Sequence, residues 1–544
     1  MLQKLFFGAM PQRWASCRGA VGRLRDHWYC AAVPADPHRG FSNAVGRSPL
    51  MPIGDVLPEI SLTLGAVIIV LFAAFARQHQ HVWAAVLALL TIGLCIGLTF
   101  TQWDGPPRLT FSGVWALDGM ALSSKLVVLI AGALVIAMSP EWMQTDRRHA
   151  EYYALMLFAL LGVIMMASAS DTMELVVGVL LSSVASYPLA AYHRTWAPAL
   201  EAGMKYFLMG ALTNTLLTIG VVVLFGLTGN TGYPEIAQKL SVGHDSLALT
   251  IATASIILGL SFKLAAFPAH AWMPDVAQGS PAPVAAFLTV IPKIGAAVAL
   301  ARFVSLMPPD VAWRAIVALI SVTTMTLGNV AALRQTDVRR LLGWSSVSQS
   351  GYALMAIVVM GTSDQALPAL VFFLASYAIA NLAAFAVVTY LRGRTALESY
   401  QGLARQAPIA TTILIASLLS LVGIPPLIGF FGKLMLFSVT IEGGYAWLAF
   451  VAAANTVVSL FYYLRIVARM MFSDTRPHCA CTGGPVGTNH HDRVWLAVDC
   501  RWAWCRNANG VHGFDRLCAL GLACRIKLNG VILRGSYLCH LFKI

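Results

Sequence analysis

The chain has 544 residues, of which 58% are hydrophobic and only 11% are charged, and its mean hydropathy is +0.71. Soluble domains are about 45–50% apolar and about 25% charged, so these values exclude a chain of soluble domains and indicate a multi-pass membrane protein. The formal net charge of +13 does not indicate a nucleic-acid partner, because residues 1–50 carry +5 and residues 475–544 carry +6, which leaves only +2 for residues 51–474.

The two ends of the chain differ in composition from its body. Nine of the ten cysteines lie in these ends, and Cys479 and Cys481 with the histidines near them fit no standard zinc spacing, so we reject a metal site there. Residues 1–50 contain neither an apolar run that could span a bilayer nor the core of a signal peptide. We therefore expect residues 1–50 to be an unstructured extension or an upstream over-read, and the transmembrane domain to occupy residues 51–472.

Thirteen apolar stretches of about 20 residues follow, each long enough to cross a bilayer. They lie near 59–76, 82–101, 117–138, 151–169, 173–192, 204–228, 245–267, 281–304, 311–333, 340–360, 367–391, 409–436 and 443–470. The odd-numbered connections hold twelve arginines, whereas the even-numbered ones hold four basic residues. By the positive-inside rule, the odd-numbered connections are cytoplasmic and span 1 begins outside.

Two of these spans contain signals of a broken helix. The seventh span carries Lys263 and then meets Pro268, His270 and Pro274. In the eighth span Lys293 directly follows Pro292, and by the same argument we expect a further solvated break there. The twelfth span contains Gly423-Ile-Pro-Pro-Leu-Ile-Gly-Phe-Phe-Gly-Lys433. Broken helices at membrane depth occur only where they pack within protein or line a wet cavity. Their spacing of five spans suggests a bundle built from two repeated halves.

The lysines in these stretches are the main candidates for function. A buried lysine loses the hydration that stabilises its charged form, so Lys263, Lys293 and Lys433 could gain and lose protons near neutral pH. The alternative is that the lysines extend to the interface and the prolines only kink the helices. We expect the functional lysines to point inward, together with Lys205, and to form a rough line across the bundle.

Other polar residues are weaker candidates. His270 and Asp275 follow Lys263, and a relay role or a structural hydrogen bond suits His270 equally well. Glu201 and Lys205 have the spacing of a helix ion pair, which could belong to a relay or anchor the helix at the interface. Solvation at a helix start is the expected role of Glu174. We expect Arg339 and Arg340 to fix topology, and Tyr462 and Tyr463 to lie at the interface.

The body contains no dinucleotide fingerprint, P-loop, haem motif or ferredoxin-like cysteine run. Several of its motifs resemble those of the antiporter-like membrane subunits of bacterial respiratory complex I, and of chain N among them. The matching motifs are Glu201-Ala-x-x-Lys205-Tyr-Phe, Phe262-Lys263, Pro268-x-His270-x-Trp272-x-Pro274-Asp275-Val276, Gly279-x-Pro281-x-Pro283-Val284, Gly328-Asn329-x-x-Ala332-Leu333-x-Gln335, Leu341-Leu342-x-x-Ser345-Ser346, Gly423-Ile-Pro-Pro-x-x-Gly429-Phe-Phe-x-Lys433 and Ser459-x-x-Tyr462-Tyr463-Leu464-Arg465.

This resemblance runs from about residue 55 to residue 472 and implies an all-α, polytopic, inverted-repeat bundle of thirteen to fourteen transmembrane helices. It implies a proton-translocating subunit of NADH:quinone oxidoreductase in the bacterial inner membrane, with the other membrane subunits as partners and quinone acting indirectly. No cofactor is expected in this chain, since NADH, FMN, iron–sulfur clusters and quinone would bind to partner subunits. The alternatives are a cation/proton antiporter or hydrogenase-linked subunit, and a non-pumping structural paralogue.

Three departures from the family pattern leave the coupling step open. Leu180 occupies the place of the family's glutamate in span 5, and Gln349 occupies the place of a histidine that the family often has. Glu174 lies six residues before Leu180, about 600° of rotation and about 9 Å of rise away, so it is no simple substitute. Beyond Phe472 the fourteenth span of the family gives way to Cys-, Trp- and Arg-rich sequence. We therefore hypothesise a reading-frame shift near Ser473, which translation of the other frames would test.

Overall fold

The computed structural model describes residues 53–76, 82–103, 105–143, 149–243 and 245–472, and three short strands beyond them. These strands are Ala497–Val498, Ile526–Leu528 and Val531–Leu533, which form an antiparallel sheet in the order given within a separate unit, Thr475–Ile544. The expectations for residues 1–50, and otherwise those for residues 473–544, fall outside the described residues.

Each of the thirteen predicted spans corresponds to helical structure, and the helices α1 to α13 are numbered to match the spans. They are α1 Leu57–Phe75, α2 Val82–Thr101, α3 Gly119–Met138, α4 His149–Ser168, α5 Thr172–Ala190, α6 Ala197–Thr228, α7a Ser246–Leu264, α7b Trp272–Gly279, α8 Ala282–Val304, α9 Trp313–Leu333, α10 Val338–Val358, α11 Ala366–Tyr390, α12a Pro408–Val422, α12b Ile428–Glu442 and α13 Ala446–Phe472.

Shorter elements fill the connections. They are the helices Pro140–Met143, Tyr233–Val242 and Leu403–Gln406, the 3₁₀ turns Ile53–Val56, Phe111–Gly113 and Leu397–Tyr400, and an antiparallel pair of strands, Arg108–Thr110 and Trp115–Leu117. Within the described parts of the chain, eleven helices are long and apolar enough to cross a membrane. The two halves of α12, with 15 residues each, and α10, with two arginines and four serines, fall outside that set.

Helix α8 lies at the centre of the bundle. Every one of its residues is buried, and it packs against α3, α4, α7a, α10 and α11. The outer helices α1, α2 and α6 expose large apolar side chains along their length, as expected for surfaces that face lipid. A helix that is apolar on all sides is typical of membrane-spanning bundles, so hydrophobicity alone does not distinguish α8 from its neighbours.

Carboxylates begin several of these helices. The side chains of Asp118, Asp171, Asp245 and Asp337 accept backbone amide hydrogen bonds at the starts of α3, α5, α7a and α10. Each supplies an acceptor for amides that have no partner within the helix. These caps fix where the four helices begin.

Both predicted helix breaks are present. Helix α7a ends at Leu264, where Ala265 adopts a left-handed conformation, and α7b begins at Trp272. Helix α12a ends at Val422, and the φ of 92° at the next residue, Gly423, is left-handed and favours glycine. The expectation of a further break beside Lys293 is wrong, because α8 continues through Pro292. The helix tolerates this proline where neighbouring helices enclose it on all sides.

Candidate functional site

Three lysines that the sequence singled out lie inside the helix bundle. Lys263 on α7a, Lys293 on α8 and Lys433 on α12b are at most 4% exposed. Within the described part of the chain none of the three forms an ion pair with a carboxylate; their ammonium groups donate to hydroxyl and carbonyl oxygens instead. These three side chains are therefore held by neutral acceptors, and the expectation that they point inward is confirmed.

Lys293 has the largest set of partners. Its Nζ donates to Ser346 Oγ at 2.6 Å and to Ser350 Oγ at 2.8 Å, and it also contacts the carbonyl oxygen of Ser346. The hydroxyl of Tyr377 lies 2.9 Å from Ser346 Oγ and 2.8 Å from the carbonyl oxygen of Thr289. Serines one turn apart on α10 thus surround the ammonium group, because positions i and i+4 share one face of a helix.

Ser350 connects Lys293 with the break in span 7. Its hydroxyl is within hydrogen-bond distance of both Lys293 Nζ and the carbonyl oxygen of Leu264, the last residue of α7a. The carbonyls at the end of a helix lack partners within that helix, so this one is available to a side chain of α10. One serine therefore joins the lysine of α8 to the residue that follows Lys263.

Lys433 lies at the second break. Its Nζ donates to the carbonyl oxygen of Val422 at 2.9 Å, at the end of α12a, and lies 4.4 Å from the centre of the Tyr352 ring. A cavity of about 10 Å³ separates this lysine from the group around Lys293, which is room for about one water molecule. Its polar lining consists of Gln349, Ser376, Tyr377, Ser420 and Lys433.

Lys263 meets α5 rather than an acid. Its Nζ donates to Ser182 Oγ at 3.2 Å, while the side chain of Leu180 on the same helix is 41% exposed on the outer surface of the chain. Two residues along a helix correspond to about 200° of rotation, so positions 180 and 182 face different directions. In this chain the partner of Lys263 is therefore a hydroxyl two residues after the position of the family's glutamate.

Lys205 differs from the three buried lysines. Its side chain is 45% exposed and its Nζ pairs with Glu201 at 2.7 Å and with Asp275 at 2.8 Å, so the expectation that it points inward is wrong. Asp275 also pairs with Arg340 at 2.6 Å, which joins the starts of α6, α7b and α10. Helix α6 is apolar along almost its whole length, and for this reason the sequence alone did not reveal which of its faces lies on the surface of the helix bundle.

His270 lies in the connection between α7a and α7b. Its ring packs against those of Phe267 and Trp344, with centroids 6.0 Å and 5.8 Å away. Its Nδ1 has no hydrogen-bond partner among the described residues, and no hydrogen bond links the ring to Lys263 there.

Sequence reasoning missed several buried charges. Lys125 on α3 pairs with Glu59 on α1, and both are buried. Arg302 at the end of α8 pairs with Asp118 through two bonds of 2.7 and 3.0 Å. Lys125 stands in an apolar run, just as Lys263 does, so the same rule would have found it. The acid of each pair cannot be identified without knowing which helices are neighbours.

Three interpretations of polar residues need correction. Glu174 is only 7% exposed rather than solvated, and Tyr462 and Tyr463 are buried rather than interfacial. Arg339 is 3% exposed and donates to the carbonyls of Ala277 and Ser280, at the end of α7b. It therefore stabilises the broken helix, because a cation is favoured at a helix C-terminus. No group of three His, Cys, Asp or Glu side chains suitable for a metal ion occurs in the described ranges.

Comparison with known proteins places these features in a family. A model of the NADH:quinone oxidoreductase/Mrp antiporter transmembrane family matches residues 169–459. NADH-quinone oxidoreductase subunit N of Mycobacterium sp. (strain JLS) is 45% identical over 406 residues, which cover 74% of this chain and 86% of that protein. Subunit N 1 of Streptomyces griseus is 41% identical over 414 residues, 75% of this chain and 87% of that protein.

A solved structure agrees with this result. A chain of respiratory complex I from Thermus thermophilus with bound aureothin has a TM-score of 0.65 and 28% identity, covering 76% of this chain and 89% of that one. These comparisons confirm three predictions. The chain is a multi-pass protein of a bacterial inner membrane, it functions together with other membrane subunits, and its resemblance to the complex I subunits is real. The chain belongs to the NADH:quinone oxidoreductase/Mrp antiporter family, among the membrane subunits N of NADH-quinone oxidoreductase.

Proposed function

We propose that this subunit carries protons along a path through Lys263, Lys293 and Lys433 while other subunits of the complex reduce quinone. One observation carries the proposal: Lys293, enclosed at the centre of the bundle, contacts hydroxyl groups that extend to both helix breaks. Tyr377 also lines a small cavity that reaches Lys433 and includes Gln349, Ser376 and Ser420 in its lining. Lys293 and Lys433 thus border one set of contacts, and Lys263, which donates to Ser182, lies one residue before the carbonyl that Ser350 contacts.

The chemistry of the partners suits proton exchange. A lysine held by a carboxylate is stabilised in its charged form, whereas hydroxyl and carbonyl oxygens favour that form less strongly. Lys263, Lys293 and Lys433 have only the latter among their described partners. A hydroxyl can accept a proton on one lone pair and release its own proton to the next acceptor, so Ser346, Ser350 and Tyr377 can pass protons without being consumed.

Leu180 and Gln349 limit the ways in which proton movement along this path can be controlled. Neither side chain can titrate, so the charge of Lys263 cannot be set by an acid at position 180, and Gln349 contributes only hydrogen bonds, donating to the carbonyl of Leu421 at 3.1 Å. Control would instead come from changes in the distance between Lys263 and Ser182, or in the contacts of Ser350. If these residues carry no protons, the subunit is a structural member of the complex.

Replacement of Lys263 by arginine tests the proposal, because arginine keeps the positive charge but does not deprotonate in proteins. NADH oxidation and proton uptake are measured in membrane vesicles at equal content of assembled complex. Lys263→Arg should lower the number of protons moved per NADH, while Lys239→Arg, at an exposed lysine of the helix Tyr233–Val242, should leave it unchanged. A wild-type ratio in Lys263→Arg would make the lysine structural.

A further inference from the structure

A second group of buried charges lies at the opposite end of several helices from the cytoplasmic arginines. Glu59 and Glu174 are in the first turns of α1 and α5, Lys125 is in the second turn of α3, and Arg302 is in the last turn of α8. The arginine distribution assigns all four helix ends to the outer side. This group contains none of the three lysines of the proposed proton path.

Glu174 is the unusual member of this group. It is 7% exposed, and neither of its carboxyl oxygens has a hydrogen-bond partner among the described residues. The nearby amide of Ser170 donates instead to the carbonyl of Val114. Capping does not explain this acid either, because the side chain of Asp171 already accepts the amides of Met173 and Glu174.

The surroundings of Glu174 contain further polar atoms without partners. Arg302 and Tyr233 are close enough to interact electrostatically with Glu174 and with each other. The hydroxyl of Tyr233 and Nε of Arg302 are buried, and the described residues offer them no hydrogen-bond partner. Ser168 Oγ, at the end of α4, and Trp115 Nε1, in the strand Trp115–Leu117, also lack a hydrogen-bond partner among the described residues. Buried polar atoms are normally satisfied, and water molecules with several polar partners satisfy those that protein groups do not.

Charged side chains of both signs lie near Glu174. Arg302 favours the ionised carboxyl, but it already makes two hydrogen bonds to Asp118. Asp171 and Glu59, the latter paired with Lys125, oppose ionisation. An ionised carboxyl needs donors and a protonated one needs an acceptor, and the described residues supply neither. Water molecules could supply both, which suits a group that exchanges protons with water.

We propose that Glu174, Arg302 and Tyr233 line a hydrated outer chamber in which Glu174 exchanges protons between the outer solution and the interior of the bundle. This inference rests on the proposed function of the subunit, since it supplies the outer end of its proton path. Helix α5 links the two sites: Ser182, the partner of Lys263, lies eight residues after Glu174, which is about 12 Å of rise. The chamber would take up or release protons only and requires no other ligand.

Hydration of the chamber is tested first, without measuring transport. A membrane-impermeant thiol reagent is added to the outer face of cells or spheroplasts that contain the whole complex. Glu174→Cys should react, since a thiol needs water and access to ionise, whereas Leu175→Cys, at an adjacent buried residue, should remain unlabelled. Both variants are made with Cys17→Ser and Cys30→Ser, because these two cysteines precede span 1, which begins outside, and would otherwise react themselves. Equal and slow labelling of both cysteine variants would contradict the proposal of a hydrated chamber, whatever the proton ratio measured for Lys263→Arg.

Proton exchange is tested next, in vesicles at equal content of assembled complex. Glu174→Gln should lose part of the protons moved per NADH, while Glu174→Asp should retain them, because only the second variant keeps a titratable group. Glu151→Gln is the matched control, since Glu151 is also the third residue of its helix, but is exposed. A wild-type ratio in Glu174→Gln, together with a lowered ratio in Lys263→Arg, would overturn this inference and leave the lysine path standing.

If Glu174→Gln does not assemble, the labelling result and the comparison of Glu174→Asp with wild type decide whether the chamber exists and exchanges protons. A labelled Glu174→Cys and an active Glu174→Asp support the chamber, and an unlabelled site overturns it. If Glu174→Gln lowers the ratio while Lys263→Arg does not, Glu174 retains its exchange role and the path through the lysines is wrong.

Discussion

Glu59 on α1 and Lys125 on α3 form an ion pair in which the lysine is fully buried and the glutamate is 6% exposed. The ring of Trp115 lies over the ammonium group, with its centroid 5.9 Å from Nζ. A buried pair of this kind contributes little compared with an apolar pair of the same size, but the loss of one partner leaves an uncompensated charge. The pair therefore constrains how α1 and α3 can be changed.

Replacement of one partner should destabilise the subunit more than replacement of both. Lys125→Met leaves the Glu59 carboxylate without its partner, at a cost of about 3–5 kcal/mol, so the amount of assembled complex in membranes should fall sharply. The double variant Glu59→Gln/Lys125→Met should recover most of it. Thermal unfolding of the purified complex measures the difference, and equal losses in the single and double variants would contradict the prediction.

The hydroxyl of Tyr377 should be needed for proton movement but not for packing. Tyr377→Phe keeps the buried ring and removes the group that contacts Ser346 and Thr289, at a cost of about 1 kcal/mol of stability. Protons moved per NADH should fall while assembly is nearly unchanged. Tyr390→Phe, on the same helix but 68% exposed, is the control. An unchanged ratio in Tyr377→Phe would remove the tyrosine from the path.

Arg339 should be required for the geometry of the break in span 7. Arg339→Met removes both donors to the carbonyls of Ala277 and Ser280, and each buried acceptor left without a partner costs about 1–3 kcal/mol. The content of assembled complex should fall, whereas Arg334→Met, at an exposed position just before α10, should have little effect. Quantification of the subunit in membranes checks both, and full assembly of Arg339→Met would argue against a structural role.

Gly429 should not tolerate a side chain. A Cβ atom there would clash with the carbonyl oxygen of Ser420, a backbone atom that cannot move without shifting the end of α12a. Gly429→Ala should therefore separate the two halves of α12 and disturb the contact between Lys433 and Val422, with an overpacking cost of about 1–3 kcal/mol. Gly226→Ala is the matched control, because nothing lies within 4 Å of a Cβ there.

Sequence alone predicted the helices well, because long apolar runs and prolines are local signals. The inward positions of Lys263, Lys293 and Lys433 followed from the cost of placing a lysine in lipid. The position of Lys205 did not, because the exposed face of α6 depends on which helices pack beside it. The same limit applies to Glu59 and Lys125, whose pairing depends on the arrangement of α1 and α3 rather than on any spacing in the chain.

Pro292 illustrates a different limit. Proline removes one amide from the hydrogen-bond pattern of a helix, and the sequence therefore suggested a break beside Lys293. Whether the helix breaks depends on the support that surrounds it, and α8 is supported on every side. The hydrogen-bond partners of Lys293 come from α10, and the ring centroid of Tyr377 on α11 lies 6.0 Å from its Nζ, so its neighbours are distant from it in sequence.

The complete enclosure of α8 has a consequence for the surrounding bilayer. Since none of its residues is exposed on the chain surface, acyl chains cannot touch it, and membrane thickness acts on this helix only through the helices around it. Lys293 is in effect insulated from the lipid, and its ammonium group has no route to the headgroups. A change of lipid composition should therefore alter the stability of the assembled complex before it alters the environment of this lysine.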